Sequence, residues 1–176
     1  MVWNRENSDK VRSSSAVNPW LLQFFKRTTT IPLYRGGAFF EKDCVCTQLD
    51  ANITNLPNYG DGYVDNECRY KTVDGEWTNI TATLFDEDPD TLGRWLTQVG
   101  GGSPANYTII AIKSDEYSVE YDCKTSSLGI TNYCIHVMSR TPTLSEDTFK
   151  HLIEMAESLG LNPQQLPYTM TIQEGC

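Results

Sequence analysis

The architecture can be read outward from one segment, Cys134-Ile135-His136-Val137-Met138-Ser139-Arg140, followed by Thr141-Pro142-Thr143-Leu144 and then by Ser145 and the run Glu146 to Leu159. Cys134 to Met138 mixes β-branched, aromatic and polar residues and predicts a strand that ends on arginine. Ser145 is a good N-cap, and Glu146 and Asp147 suit the positive end of a helix dipole. Phe149, Leu152, Ile153 and Ala156 recur at helical spacing, so one face of this helix should pack on the domain. Gly160 stops the helix, and Pro163 keeps it stopped.

Upstream of that join the signals are strands. Trp20 to Thr29, Cys44 to Thr54, Gly62 to Val73, Glu76 to Phe85, Leu92 to Val99, Tyr107 to Lys113, Tyr117 to Lys124 and Thr131 to Arg140 are candidates, and Tyr168 to Ile172 is another after the helix. Hairpin-type punctuation separates them: Pro57 to Gly62, Asp74-Gly75, Gly100 to Pro104 and Ser126 to Gly129. Sequential hairpins make an up-and-down sheet. Eight such strands close naturally into a barrel, which at this size can hold one small ligand. The fold expected is therefore all-β, an eight-stranded antiparallel up-and-down barrel with one C-terminal helix packed outside.

A chain of 176 residues with 39% hydrophobic content supports one domain with its own core, so residues 1–15 read as a polar N-terminal leader and 16–176 as a single domain. The balance of 14 basic against 23 acidic residues, net −9, leaves no cluster of Lys and Arg for nucleic acid or an anionic membrane surface. No apolar run approaches the roughly 20 residues a membrane helix requires. Met1 to Lys10 is polar and charged, unlike a signal peptide; if the chain is secreted, Met1 is expected to stand in place of a removed signal sequence.

Two features nevertheless point to the secretory route. The six cysteines, Cys44, Cys46, Cys68, Cys123, Cys134 and Cys176, show neither a CxxC pair nor zinc-finger spacing, which favours disulfides over metal. Asn52, Asn79 and Asn106 each open an N-x-T sequon within or beside a predicted strand, and a glycan requires a solvent-facing position. The expected location is extracellular.

At this point the residues resemble the lipocalin family, over about Asn18 to Cys176. Asn18-Pro19-Trp20 is similar to the opening Gly-x-Trp of that family, with the glycine replaced. Phe40-Glu41-Lys42-Asp43-Cys44 resembles the start of the second strand in the branch of apolipoprotein D, the bilin-binding proteins and the crustacyanins. Ser114-Asp115-Glu116-Tyr117 with Tyr121-Asp122-Cys123 resembles the family's Thr-Asp-Tyr turn and following cysteine. Ser139-Arg140 with the capped helix is the best match, and a tail cysteine follows, as Cys176 does here. The resemblance implies that Trp20 plugs the closed end of the barrel while Arg140 packs across its ring, a cation–π contact of about 0.5–2 kcal/mol. The plainer reading is a core tryptophan and a solvated arginine.

Alternation assigns the strand faces. With Asn52 outward, Val45, Thr47, Leu49, Ala51 and Ile53 turn inward; Asn79 likewise places Thr78, Ile80, Ala82 and Leu84 inside, and Asn106 places Tyr107, Ile109 and Ala111. A sandwich core would alternate in the same way, so the hollow interior rests on the resemblance. The first strand would add Leu22 and Phe24. In the last hairpin, Cys123 opposite Cys134 puts Tyr121 beside His136 and Val119 beside Met138, all facing the cavity. The family register instead turns Ser118, Glu120 and Asp122 inward, which alternation disfavours. His136 is then a polar anchor for a ligand or a histidine satisfied by Tyr121.

The resemblance implies that Cys44 or Cys46 bonds Cys176, that Cys123 takes Cys134, and that Cys68 takes the remaining cysteine of the second strand. Charged neighbours of Cys68 turn it inward, away from an outward Cys46 unless a bulge intervenes. The function expected is a secreted carrier of one small hydrophobic molecule, a biliverdin-type tetrapyrrole first, then a carotenoid, then a fatty acid, sterol or retinoid. A few proteins of this family act on their ligands, but no activating partner stands at recognisable spacing from Cys46 or Cys68, so no enzyme and no metal is expected. Association with like subunits is the remaining possibility, since crustacyanin-like lipocalins assemble.

Overall fold

The structure, a computed structural model, describes residues 29–30, 43–53, 62–85, 93–125, 127–129 and 131–176. Residues 1–15, Trp20, Leu22 and Phe24 lie outside them. Seven strands follow one another: β2 Cys44–Ile53, β3 Gly62–Tyr70, β4 Trp77–Phe85, β5 Arg94–Val99, β6 Ala105–Lys113, β7 Tyr117–Thr125 and β8 Thr131–Ser139. Each pairs antiparallel with the next, as a chain of hairpins must. The sheet curls on itself. A two-residue strand, β1 Thr29–Thr30, sets Thr29 opposite Leu49 and Thr30 opposite both Gln48 and Ser139, joining the two outer strands of the curl.

The helix α1 spans Glu146–Ser158. Ser145 caps it by accepting from the Thr148 N–H at 3.1 Å. Its end is a Schellman arrangement: the Gly160 N–H donates to Glu157 O, the Leu161 N–H donates to Ala156 O, and Gly160 sits at φ +71°. Leu152 and Ala156 are buried against Val119, Ile135, Val137 and Leu161 of the barrel exterior and tail, with Phe149 and Ile153 packed beside them. The helical face read from spacing is the one that docks. The strand expected at Tyr168 to Ile172 is irregular chain instead, tied to β2 by the Cys46 N–H donating to Ile172 O at 2.9 Å.

A second apolar cluster lies inside the barrel. Leu49, Ala51, Val64, Leu84, Trp95, Tyr107, Ile109 and Met138 form it. On β8, Met138 belongs to this inner cluster and its neighbour Val137 to the cluster under the helix, so β8 is buried on both faces from Tyr133 to Ser139.

Two bulges change the face assignments. Val45 lies opposite Arg69 but Gln48 opposite Glu67, so β2 carries one extra residue there, and Cys46 adopts φ +55°. Cys44 thereby bonds Cys68, while Cys46 bonds Cys176 of the tail. The bulge that the Cys68 conflict required is present. On β6, Ile109 pairs with Glu120 but Ala111 with Val119, so Ile110 is the extra residue. Ala111, expected inside, packs under the helix instead, and Ile112 packs against the inner cluster.

The last hairpin differs from expectation by one residue. Cys134 lies opposite Asp122 rather than Cys123, and Cys123 lies opposite Tyr133. A one-residue slip moves every side chain to the other face. The two cysteines are not bonded to each other, a correction to the expected Cys123–Cys134 pair.

Candidate functional site

Inside the barrel is a cavity of about 470 Å³. It reaches the end carrying the β5–β6 and β7–β8 turns, where Gly102, Ser103, Lys124 and Asn132 border it. Leu49, Val64, Ile80, Ala82, Val99 and Ala105 supply apolar wall from β2 to β6. Glu120, Asp122, Cys134 and His136 supply a polar wall from β7 and β8. Cavities of about 300–1,000 Å³ with a few convergent polar groups are the usual form of a small-molecule site.

The polar wall follows from the register. Glu120 is directly opposite His136, and Asp122 directly opposite Cys134. Residues two apart on a strand share a face, so all four project to one side. His136 Nδ1 lies 3.6 Å from Asp122 Oδ2, and Cys134 Sγ lies 3.6 Å from the same oxygen.

Glu120 is fully buried, and among the described residues neither of its carboxyl oxygens has a hydrogen-bond partner. Burial pushes its pKa up to about 8. The Tyr107 and Ser118 hydroxyls and His136 lie close enough to favour the charged form, but neither hydroxyl reaches hydrogen-bond geometry, and burial wins. Burial thus favours the neutral carboxylic acid form of Glu120, which can both donate and accept. Burial, then the nearby Glu120, pushes the Tyr107 hydroxyl well above its ordinary value.

The sequence-predicted positions divide into groups. Leu49, Ile80, Ala82, Tyr107 and His136 line the cavity. Ile109 and Met138 are buried in the inner cluster without lining it. Val45 and Thr47 are buried on β2 beside the bulge, and Ile53 ends that strand opposite Gly62. Val119 and Tyr121 pack in the cluster under the helix, outside the barrel, because of the one-residue slip. Asn52, Asn79 and Asn106 are exposed. Arg140 is half-buried, its Nε donating to Ser114 O at 3.1 Å; its expected partner Trp20 lies outside the described residues. Sequence reasoning left Glu120 and Asp122 on the disfavoured register, and Val64, Val99 and Ala105 unassigned.

The chain is thus a curled antiparallel barrel around a cavity, with a capped helix on its outside and a tail disulfide. No protein-family model matches the chain, and no curated protein matches it. Solved structures do. Apocrustacyanin C1 superposes with a TM-score of 0.71 at 11% identity, over 96% of this chain and 86% of that one. Lobster apocrustacyanin A1 gives 0.66 at 11% identity over 99% and 87%, and H1 crustacyanin from the lobster Homarus americanus gives 0.67 at 11% identity over 96% and 86%. At such identities the likeness is one of fold. No helix among the described residues is long and apolar enough to cross a membrane.

Proposed function

We propose that this protein is a secreted carrier that holds one small hydrophobic molecule inside an eight-stranded barrel. The observation that carries this reading is the cavity of about 470 Å³, apolar on the β2–β6 side and polar on the β7–β8 side. Binding is burial: each Å² of apolar ligand surface removed from water contributes about 25 cal/mol, and the polar wall fixes orientation. The fold shared with the crustacyanins and the two disulfides support the class and the extracellular setting.

The ligand we favour is a flat, conjugated tetrapyrrole of the biliverdin type. Glu120 and Asp122 are acceptors, and the N–H edge of a bilin supplies donors, while its ring faces suit Leu49, Ile80 and Tyr107. A carotenoid, fatty acid, sterol or retinoid has no comparable row of donors and ranks below it. Protein isolated from its source should show a visible absorption band, and mass spectrometry of the solvent extract should find one pigment per chain. A colourless protein that takes up neither bilin nor any apolar fluorophore would sink the carrier reading.

A further inference from the structure

We propose that Asp122, Cys134 and His136 form a binding site for a divalent transition metal of the zinc class, set in the cavity wall with one coordination position facing the cavity. The placement follows from the ladder. Asp122 and Cys134 are a directly opposed pair, and His136 is two residues along β8 on the same face. One ligand atom from each residue lies within 4.8 Å of the other two, and both distances to Asp122 Oδ2 are 3.6 Å. A tetrahedral zinc with ligand bonds of about 2.0–2.3 Å holds its ligand atoms roughly 3.3–3.8 Å apart, so both separations to Asp122 already fit, and the Cys134–His136 pair, within 4.8 Å, would close by at most about 1 Å.

The donor set is selective. Thiolate, imidazole and carboxylate together suit zinc, whereas calcium and magnesium take oxygen alone. Cys134 is outside both disulfides, so its sulfur can ligate. All three residues line the cavity, together with the fully buried, unpartnered carboxyl of Glu120. Three protein ligands beside a cavity leave a fourth position for water or for a carboxylate on a bound molecule. This proposal is independent of the carrier reading, because metal binding is measured without any hydrophobic ligand.

The test uses the full chain with both disulfides intact, stripped by chelator dialysis and titrated with zinc or cobalt alone. Native mass spectrometry should find one zinc per chain. Cobalt should give a near-ultraviolet sulfur-to-metal charge-transfer band with the visible bands of a tetrahedral ion. Cys134→Ser should abolish the charge-transfer band, and Asp122→Asn and His136→Gln should each weaken binding at least tenfold with circular dichroism unchanged. Cys123→Ser should bind as the parent does. Zinc should also slow alkylation of Cys134 and not of Cys123 in the unmutated protein, a readout that needs no variant to fold. The proposal is overturned if the parent binds no stoichiometric zinc, if the band survives Cys134→Ser, or if zinc leaves Cys134 alkylation unchanged.

Discussion

Glu120 stands directly across the β7–β8 ladder from His136, so a fully buried carboxyl and a histidine share one wall of the cavity. Burial raises the Glu120 pKa from 4.5 to about 8, so the folded protein holds this proton more tightly than the unfolded chain. Its contribution to stability is therefore fully present below pH 4.5 and is lost as pH rises through about 8. Each tenfold gain in proton affinity is worth about 1.4 kcal/mol, so the loss between pH 5 and pH 9 is on the order of a few kcal/mol. Tyr107, Asp122, Cys134 and His136 surround the same space, so Glu120→Gln is needed to isolate the effect. Urea unfolding at the two pH values should show a much smaller difference in Glu120→Gln; an identical difference would remove Glu120 as its source.

Leu49 and Ile80 line the cavity from adjoining parts of the apolar wall. A charged residue at either would meet an apolar ligand with a desolvated charge costing several kcal/mol, so Leu49→Glu or Ile80→Glu should abolish fluorophore or pigment uptake. Gln48 pairs with Glu67 and lies off the cavity, and Gln48→Glu should bind normally. Ile109 is buried in the inner cluster without lining the cavity, so Ile109→Glu should lose the fold along with uptake. His136→Ala should weaken binding about tenfold, roughly 1.4 kcal/mol, with stability little changed. Unaltered binding would take His136 out of the ligand site.

Peptide mapping without reduction should recover Cys44 joined to Cys68 and Cys46 joined to Cys176, with two thiols left. Cys123 is half-buried and Cys134 buried, so alkylation under native conditions should label Cys123 first. A recovered Cys123–Cys134 peptide would refute the register of the last hairpin.

Leu152 is nearly inaccessible beneath α1, and Leu152→Ala should cost about 2–5 kcal/mol in chemical denaturation. Ser145→Ala removes the cap on Thr148 and should cost about 1 kcal/mol. Neither residue borders the cavity, so ligand affinity should survive both changes. A loss of binding in a folded Leu152→Ala variant would mean that the helix shapes the site.

Much of the fold was legible because its signals are local. Ser145, Gly160 and the spacing of Phe149, Leu152, Ile153 and Ala156 act within a few residues, and α1 forms where they place it. Turn residues likewise separated most strands near their observed ends, and the exposed sequon residue Asn79 oriented Ile80, Ala82 and Leu84 correctly, whereas Thr78, expected on the same side, is exposed at the end of the sheet. On β4, only one side is dry.

That condition fails on β7 and β8; His136 and Met138 of β8 still turn inward as expected, but on β7 the local pattern misled. Alternation reads the apolar face as the inside, but α1 covers the outside of these strands, so Val119, Ile135 and Val137 face the helix. The polar face, Glu120, Asp122 and His136, then turns into the cavity. Two cysteines equidistant from a turn suggested the opposite register, because a ladder shifted by one residue retains a full set of backbone hydrogen bonds.

The sequence by itself determined the approximate places of the strands from β2 to β8, how the helix is capped and which residues are apolar enough to be buried, since these depend on near neighbours along the chain. Only the tertiary structure decided the bulges at Val45–Gln48 and Ile109–Ala111, the slip that sets Asp122 against Cys134, and hence the polar wall of the cavity. Those features are set by packing between residues distant in sequence: the helix on the back of β7 and β8, the tail bonded through Cys176, and the curl that brings β2 near β8.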